Sequence, residues 1–413
     1  MGPPAASGAA CASIGRMTSA SATRPGLSGL RPEEVEAWVE AHGEPRFRAR
    51  QVADAVWKDG GVTEAAAIRT LPATMRDALA RDVRLDTVAD TEVRLADGGL
   101  TEKALHRLDD GALIESVLMH YPARAGSRER HTLCISSQAG CAVGCPFCAT
   151  GELGFGRDLE TAEILDQVRH AARRLARGSG RRRLTNIVFM GMGEPLLNLD
   201  RVLAAVEALN DLRRFGLGAR HITVSTSGVV PGIRRLTALG PQFTLAVSLH
   251  AARDALRDVL VPLNRRWPVA EVVGAARDHA RATGRRISYE VTMISGVNDT
   301  AADAEAMAAL LHGDHAHVNL IPMNPVAHTP WVASPMPVIE GFAATLRDAG
   351  IATTIRRNRG QEVGAACGQL AAERAGEPSA PAVARRRERL VTESAAALRG
   401  ERSPEPSPVG GAE

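Results

Sequence analysis

Along most of the chain, short continuous apolar runs alternate with stretches whose apolar residues recur at helical spacing. Short apolar runs mark six predicted strands, at 132–136, 186–190, 221–225, 244–249, 287–294 and 317–322. The stretches between them carry apolar residues at helical spacing, and Ile164, Leu165 and Val168 form one such stripe. Alternation of strand and helix predicts a parallel sheet with right-handed crossovers. Six units in about 190 residues are typical of a partial (βα)6 TIM-like barrel, since a full barrel takes about 250 residues.

The pattern before residue 132 is different. Helical spacing predicts short helices at 32–41, 47–57 and 72–80. Short alternating runs then predict strands at 91–95, 103–108 and 112–119, separated by turns that contain Asp and Gly. We therefore expect an α/β protein with a helical domain at 28–90, a connector of short strands at 91–131 and the barrel core at 132–372.

Both ends of the chain lack this order. Residues 1–27 are mostly Gly, Ala, Ser and Pro, and residues 373–413 combine Ala, Pro and Ser with the arginines 385–387. Such segments bury too little apolar surface to offset the entropy lost on ordering. We expect both tails to be disordered.

The composition excludes several classes of protein. The chain has 413 residues, of which 45% are apolar and 23% charged, and these values are typical of a globular protein and not of a disordered or fibrous one. No apolar run is long enough to span a membrane, and the first residues lack the pattern of a secretory signal. We expect a cytoplasmic, soluble protein without membrane contact.

The charge of the chain leaves RNA binding open. The net charge is +3, and a local basic patch attracts phosphate even when the whole molecule is nearly neutral. The chain has 4 Trp, 2 Tyr and 7 Phe, too few for a platform of stacked bases. Any bound RNA would therefore be held by shape and charge.

Three of the six cysteines form a compact loop. Cys141, Cys145 and Cys148 make a C-x3-C-x2-C pattern shortly after the first barrel strand, on the side where functional residues of such barrels gather. Three thiolates at this spacing can bind one inorganic centre, and without a secretory signal metal or redox chemistry is favoured over disulfides. Zinc with Cys134 as the fourth ligand is one interpretation, although Cys134 falls within a predicted strand. The other is a four-iron cluster whose fourth iron stays open to a substrate or cofactor.

The loop on the first strand of a partial barrel resembles the radical S-adenosylmethionine (SAM) superfamily. The resemblance implies a [4Fe–4S] cluster on the three loop cysteines, with SAM on the open iron and one electron cleaving SAM to a 5′-deoxyadenosyl radical. The second predicted strand is followed by Gly-Met-Gly-Glu-Pro at 191–195, which is similar to the Gly-Gly-Glu segment of the superfamily. Gly193 and Glu194 are therefore expected to receive the SAM amino group, since a carboxylate suits an ammonium and glycine allows close approach.

Further segments resemble the RlmN and Cfr group of RNA methyltransferases within that superfamily. They lie at 132–138, 191–198, 225–228, 248–250, 321–325 and 365–370, and the likeness spans residues 28–372. Family positions that hold SAM match Ser225, Ser248, Leu249, His250 and Asn324. Ser and Asn at strand ends are also common as turn or cap residues, which is the structural alternative.

The chemistry of this group implies roles for two more cysteines. Carbon 2 of adenine is an aromatic carbon and not a nucleophile, so it cannot displace the SAM methyl directly. By resemblance, Cys367 takes a methyl from one SAM, and the radical from a second SAM converts it to a methylene radical that adds to the adenine. Cys134 then resolves the covalent adduct by taking up a proton or by forming a disulfide with Cys367. Glu115 matches a proposed proton acceptor, although a lone acid in a strand more often faces solvent.

The resemblance implies methylation of carbon 2 of an adenosine in the peptidyl-transferase centre of 23S ribosomal RNA. In some relatives an adenosine beside the anticodon of a transfer RNA is also modified. A Cfr-type carbon-8 enzyme, which confers antibiotic resistance, is the alternative within the group, and a noncatalytic, metal-stabilised ribosome-binding protein is the alternative of another class. A monomer, a flavodoxin-like electron donor and RNA contact by the helical domain are further expectations.

Overall fold

The N-terminal part of the chain forms the predicted helices. The computed structural model describes residues 24–88, 90–124, 126–178, 182–356, 358–370 and 380–402. The first three helices are α1 (Pro32–Ala41), α2 (Phe47–Trp57) and α3 (Ala73–Asp82), and each lies within two residues of its predicted bounds. Their buried side chains, such as Trp38, Val52 and Leu79, belong to the same apolar core as the barrel. The helical region therefore packs directly on the barrel.

Three antiparallel strands follow these helices and confirm the predicted short strands. They are β1 (Asp90–Ala96), β2 (Thr101–Arg107) and β3 (Leu113–Tyr121). β3 pairs antiparallel with β4 (Arg130–Cys134), where Val117 lies opposite Cys134. The connector is therefore an extension of the barrel sheet and not a separate layer.

The rest of the core alternates strands and helices. In order they are β5 (Gln138–Gly140), α4 (Ala149–Glu152), β6 (Phe155–Asp158), α5 (Thr161–Arg177), β7 (Asn186–Phe189), α6 (Leu199–Asn210), β8 (Ile222–Thr226), α7 (Val230–Leu239), β9 (Thr244–Ser248), α8 (Asp254–Leu260), α9 (Val269–Thr283), β10 (Ile287–Met293), α10 (Ala301–Leu311), β11 (Ala316–Pro322), α11 (Met336–Asp348) and β12 (Ala352–Ile355). β5 and β6 form a separate antiparallel hairpin. No helix in the described ranges is long and apolar enough to cross a membrane.

The main sheet has ten strands in the order β1-β2-β3-β4-β7-β8-β9-β10-β11-β12. All neighbours from β4 onward are parallel. Six strand–helix units follow one another along this sheet, so the partial (βα)6 barrel is confirmed, with every predicted strand within two residues of its observed bounds. The additional strand β12 has four residues and pairs only with β11.

A buried arginine joins the helical region to the barrel. Arg169 on α5 has no exposed surface and donates to the backbone carbonyls of Val56 at 3.0 Å, Val62 at 2.7 Å and Leu85 at 2.6 Å. It also pairs with Asp166 at 2.6 Å. Because the guanidinium presents five N–H donors in a fixed fork, one side chain holds three separate stretches of backbone together.

The first described residues correct the predicted N-terminal boundary. Gly26 forms a β-bridge with Arg84, and the N–H of Leu27 donates to the Arg84 carbonyl at 2.8 Å. Leu27 is buried in the main core. The prediction of disorder for residues 1–27 is therefore wrong for 24–27, where backbone pairing and one buried leucine order the chain. Residues 1–23, which include Cys11, lie outside the described residues.

The C-terminal region also corrects a prediction. Disorder was expected for 373–413, but Ala380–Leu398 form helix α12. Leu390 and Ala397 lie on one face of this helix, are 1% exposed and join an apolar cluster that includes Leu256 of α8. The prediction is wrong for 380–402 because a few apolar residues at helical spacing suffice when a neighbouring helix covers them. Residues 371–379 and 403–413 lie outside the described residues.

After β12 the chain returns to the other edge of the sheet. We call residues 358–367 the crossing segment. The Gly360 N–H donates to Asp97 Oδ2, beyond the end of β1, at 2.9 Å, and Arg359 donates to the carbonyl of His120 in β3 at 2.7 Å. β1 and β12 are the two edge strands of the sheet. The crossing segment therefore bridges the gap between these two edges.

Candidate active site

The carboxyl ends of the parallel strands surround a cavity with about 980 Å³ of empty space, counting its open mouth. Its wall contains ten of the thirteen predicted site residues: Cys141, Cys145, Cys148, Gly193, Glu194, Ser225, Ser248, His250, Asn324 and Cys367. Among the described residues, Cys134, Glu115 and Leu249 lie off this wall. The fold therefore brings the cysteine loop and the distant Cys367 to one place.

The cysteine loop leaves the β5–β6 hairpin through a tight turn. Gly140 has a φ of +79°, and a Cβ at this position would lie 2.0 Å from the Gly154 carbonyl oxygen. The N–H of Cys141 donates to the same carbonyl at 2.7 Å, and the N–H of Cys148 donates to the Cys145 carbonyl at 3.1 Å. Only glycine fits where the hairpin closes, and this turn directs the loop into the cavity.

Burial opposes ionisation of the three loop thiols. It raises the pKa of Cys141 to about 12 and also raises the pKa of Cys148. The pKa of Cys145 is raised well above its ordinary value by burial and then by the charges of the other two thiolates. Three thiolates are therefore stable here only beside a strong positive charge, which a metal centre supplies.

The position of Cys134 does not support a zinc site on the cysteine loop. Within the described ranges, no group of three or more His, Cys, Asp or Glu side chains is arranged to hold a metal ion. Zinc collects four ligands about one point, whereas a four-iron cluster binds each thiolate through a different iron. Cys134, the expected fourth zinc ligand, lines a different pocket. The zinc interpretation therefore loses its fourth ligand.

Glu194 presents a buried carboxylate to the cavity. Its Oε2 accepts from the Ser227 N–H at 2.7 Å and hydroxyl at 2.6 Å, and its Oε1 accepts from the Leu196 N–H at 3.1 Å. Burial raises the pKa of Glu194, and the Ser227 hydrogen bonds oppose that shift. Gly193 has a φ of +100°, and a Cβ there would lie 2.5 Å from that of Gln138. The glycine thus permits the turn that places the carboxylate at the cavity, where it is suited to bind an ammonium group.

His250 is neutral and fixed on the cavity wall. Its backbone is left-handed, with a φ of +61°, and its Nδ1 accepts from the Thr292 N–H at 3.1 Å. Burial lowers the pKa of His250 to about 3, so the ring carries its single proton on Nε2 and can donate there. The ring packs on Phe147 with 4.6 Å between centroids. Ser225, on the same wall, donates to the Phe189 carbonyl at 2.6 Å.

Leu249 supports the wall from behind. Its side chain is fully buried in the apolar core, and its carbonyl accepts from Arg257 Nε at 2.9 Å. The same guanidinium donates to the carbonyls of Ser248 at 3.1 Å and Ser227 at 2.6 Å. Arg257 therefore orients the ends of two neighbouring strands, and sequence reasoning did not identify it.

The crossing segment delivers Cys367 to the cavity. Asn324, which follows β11, donates to the Cys367 carbonyl at 2.9 Å and accepts from the Gln361 side chain at 2.8 Å. The carbonyl of Gly368 accepts from the Ala149 N–H at 2.6 Å. Asn324 was expected to hold SAM, and the structure ties its carboxamide to the segment that carries Cys367.

A smaller pocket beside the cavity contains both Cys134 and Cys367, together with Arg356. Both thiols are free. Burial raises the pKa of Cys134 to about 12; the charge of Cys367 adds to this shift, and Arg356 opposes it. The negative charge of Cys367 is the main reason that the pKa of Arg356 is raised. The guanidinium of Arg356 therefore lies beside both cysteines of this pocket.

Glu115 is fully buried on β3, so the commoner expectation for a lone acid in a strand, exposure to solvent, is wrong here. Its carboxylate pairs with Lys103 Nζ at 2.8 Å, and its carbonyl accepts from the Ser136 hydroxyl at 2.6 Å. A Cβ at Gly364 would lie 3.5 Å from the same Nζ. Lys103 Nζ therefore lies between the Glu115 carboxylate and the neighbourhood of Gly364 in the crossing segment.

Glu290 lies on the cavity wall and is absent from the residues predicted above. Its side chain accepts from Asn319 at 2.7 Å and from the Ser288 hydroxyl at 2.8 Å. Burial raises the pKa of Glu290, and Arg356 opposes the shift. The sequence does contain a sign of this residue, because Glu290 is the single acid in the apolar strand β10. A buried acid needs a polar partner on a neighbouring strand.

Comparison with known proteins agrees with this site. The Radical SAM superfamily matches residues 135–311. The crystal structure of a radical SAM methyltransferase from Sphaerobacter thermophilus superposes with a TM-score of 0.80 at 46% identity, covering 84% of this chain and 100% of that one. The barrel and the cysteine loop are thus those of the radical SAM class.

Curated relatives of this chain identify a narrower family within the radical SAM class. A probable dual-specificity RNA methyltransferase RlmN from Frankia alni is 50% identical over 365 residues, covering 86% of this chain and 85% of that protein. The protein of the same description from Roseiflexus sp. is 44% identical over 395 residues, covering 85% of this chain and 97% of that protein. This chain belongs to the RlmN family of RNA methyltransferases.

Proposed function

We propose that this chain methylates carbon 2 of an adenosine in the peptidyl-transferase centre of 23S ribosomal RNA and an adenosine next to the anticodon of a transfer RNA. The relatives are described as dual-specificity RNA methyltransferases, which supports two RNA substrates. The observation that carries the proposal is the position of Cys367, which lines both the cavity of the cysteine loop and the pocket of Cys134. A sulfur in that position can receive a one-carbon group from one side and be released from it on the other.

The cavity residues suit a [4Fe–4S] cluster and SAM. Cys141, Cys145 and Cys148 would hold the cluster, whose positive irons offset the cost of three buried thiolates. When bound, the cluster and two SAM molecules per turnover supply one electron, one methyl group and one hydrogen-abstracting radical. Glu194 would bind the SAM ammonium, and Ser227 keeps its carboxylate oriented through two hydrogen bonds.

Neutral hydrogen-bonding groups complete this side of the cavity. Ser225, Ser248 and His250 lie on the wall beside Glu194. His250 offers an N–H at Nε2 and stays uncharged because burial lowers its pKa to about 3. These groups can hydrogen-bond SAM without repelling its positive sulfonium.

The two sulfurs of the smaller pocket have opposite requirements. Cys367 acts first as a nucleophile toward the SAM methyl, and Arg356 places a positive charge in the same pocket. Cys134 stays protonated because burial raises its pKa to about 12. To resolve the bond between Cys367 and the RNA, Cys134 would first have to give up this proton. As a thiolate it could take up a proton from the adduct, or attack the Cys367 sulfur so that a disulfide forms and the electron pair of the broken carbon–sulfur bond stays on the RNA carbon, which is then protonated. Glu115, whose carboxylate pairs with Lys103 at 2.8 Å, would accept a proton from the adduct.

RNA and the electron donor would approach from outside the cavity. The helical region contains exposed arginines, including Arg50 and Arg69, that can contact phosphates. An adenosine in folded RNA must turn out of its stack to enter a pocket of this depth. We assign this clamping role to residues 28–90, electron supply to a flavodoxin-like protein, and the active form to the monomer.

Nucleoside analysis tests the proposed function. Unmethylated ribosomal and transfer RNA are incubated with reconstituted enzyme, SAM and a reductant, then digested and separated by mass spectrometry. We expect 2-methyladenosine, no product from Cys367→Ala, and unchanged product from the matched control Cys11→Ala. The appearance of 8-methyladenosine, or of no methylated adenosine, would contradict the proposal.

A further inference from the structure

A short helix behind the cysteine loop joins two segments from the end of the chain. α4 has four residues and begins directly after Cys148. A helix of this length makes too few internal hydrogen bonds to fix its own position, so its neighbours decide it. Those neighbours include the residues that follow Cys367 and helix α12.

On one side, α4 binds the Cys367 segment through its first residues. The N–H of Ala149 donates to the Gly368 carbonyl at 2.6 Å, and the buried hydroxyl of Thr150 donates to the Leu370 carbonyl at 2.6 Å. These bonds fix the backbone immediately after Cys367. The position of α4 therefore sets where Cys367 stands relative to the loop cysteines.

On the other side, α4 binds α12 through its last residue. Glu152 and Arg386 form an ion pair whose side chains are 12% and 26% exposed. α12 is itself anchored, because Leu390 is buried and Arg387 donates to the Thr329 carbonyl at 3.2 Å. An ion pair this little exposed is coupled more strongly than a surface pair, and loss of one partner leaves the other charge poorly solvated.

We propose that α12 positions Cys367 through α4, with Arg386 and Glu152 as the positioning residues. The ion pair fixes α4 on the side that faces α12. The hydrogen bonds from Ala149 and Thr150 then fix the backbone after Cys367 relative to α4. The importance for catalysis rests on the proposed function, in which the Cys367 sulfur serves two neighbouring pockets. α12 limits how far the sulfur can move between them.

Hydrogen–deuterium exchange of the full-length, cluster-loaded protein tests this proposal. Arg386→Gln and Glu152→Gln each remove the ion pair, and we expect exchange of the amides at 149–151 and 368–370 to become about fivefold faster. The matched control is Arg399→Gln, because Arg399 follows α12 and pairs locally with Glu401 at 2.9 Å on the surface. The exchanged-charge variant Glu152→Arg with Arg386→Glu should restore slow exchange.

Alkylation gives a second readout. Iodoacetamide should modify Cys367 about threefold faster in Arg386→Gln than in the unsubstituted protein, because the loosened segment exposes the sulfur more often. Unchanged exchange at 368–370 in both single variants would overturn the proposal, as would fast exchange of α12 in the unsubstituted protein. These readouts need no RNA. If the variants exchange faster but the unsubstituted protein methylates no adenosine, the positioning role is supported and the proposed function is refuted.

Discussion

At the scale of single residues, the charges around the cavity are buried and each has a defined counterpart. Glu194 accepts three hydrogen bonds, and Glu115 faces Lys103. Arg257 donates to strand-end carbonyls. Burying a charge costs free energy unless such partners are present. Charged side chains with such partners stabilise the site. Glu194 differs from Glu115 because it also lines the cavity, where a ligand can reach it.

Replacement of Glu194 by glutamine tests its role toward SAM. Glu194→Gln keeps the shape of the side chain and removes its charge, so SAM should bind about tenfold to a hundredfold more weakly, as expected for the loss of a charge-assisted hydrogen bond. Equilibrium dialysis with the reconstituted protein measures this affinity. Glu207→Gln, at an exposed position of α6, is the matched control and should bind SAM normally. Equal affinity of both variants would exclude contact with the ammonium.

The two cysteines of the smaller pocket should differ in reactivity toward iodoacetamide. Because burial raises the pKa of Cys134 to about 12, almost none of it is thiolate at pH 7.5, and its alkylation should accelerate as pH rises toward that value. Cys367 is half-buried beside Arg356 and should react at least about tenfold faster at pH 7.5. Peptide mass spectrometry of the alkylated protein gives both rates, and Arg356→Gln should slow Cys134 further, because the guanidinium opposes the raised pKa of that thiol. Similar rates for the two sulfurs would contradict this assignment.

At the scale of elements, strands enclosed on both faces were the easiest to predict. β7 to β11 are short apolar runs between polar stretches, and their bounds follow from that pattern. β12 was missed because only Thr353 among its four residues is fully buried. α12 was missed because its order comes from packing of Leu390 and Ala397 on α8, which composition does not reveal.

The hairpin that supports the cysteine loop gives a prediction at this scale. Gly140→Ala adds a Cβ that overlaps the Gly154 carbonyl, so we expect a loss of about 3 kcal/mol in the free energy of unfolding and fewer iron atoms per chain after reconstitution. Gly144→Ala is the control, because Gly144 also has a positive φ but has nothing within 4 Å of the added Cβ. It should cost only about 1 kcal/mol. Urea unfolding and iron analysis measure both effects, and equal losses would refute the overlap.

At the scale of the whole molecule, the sequence predicted the barrel and the helices before it. It did not predict how these helices pack on the barrel. Periodicity located the helices and strands, whereas the packing of the helical region on α5 depends on Arg169, which looks like any other basic residue of an amphipathic helix. The meeting of Cys367 with the cysteine loop was expected only from resemblance. No local pattern around Cys367 indicates which distant residues it contacts.

Arg169 gives a prediction for the whole fold. Arg169→Gln leaves Asp166 without its cation and removes donors from three carbonyls, so the free energy of unfolding should fall by about 3–5 kcal/mol. Arg177→Gln, at the exposed end of the same helix, should change it by no more than about 0.5 kcal/mol. Urea denaturation followed by circular dichroism compares the two. A loss below 1 kcal/mol for Arg169→Gln would show that the helical region is held mainly by apolar contacts.

The crossing segment closes the only interval between the two free edges of the ten-stranded sheet in the described part of the chain. The same ten residues end in Cys367. A change in the width of that interval would therefore move the backbone that carries Cys367. We therefore expect a substitution that breaks the contacts of Arg359 or Gly360 with the opposite edge to shift Cys367 as well.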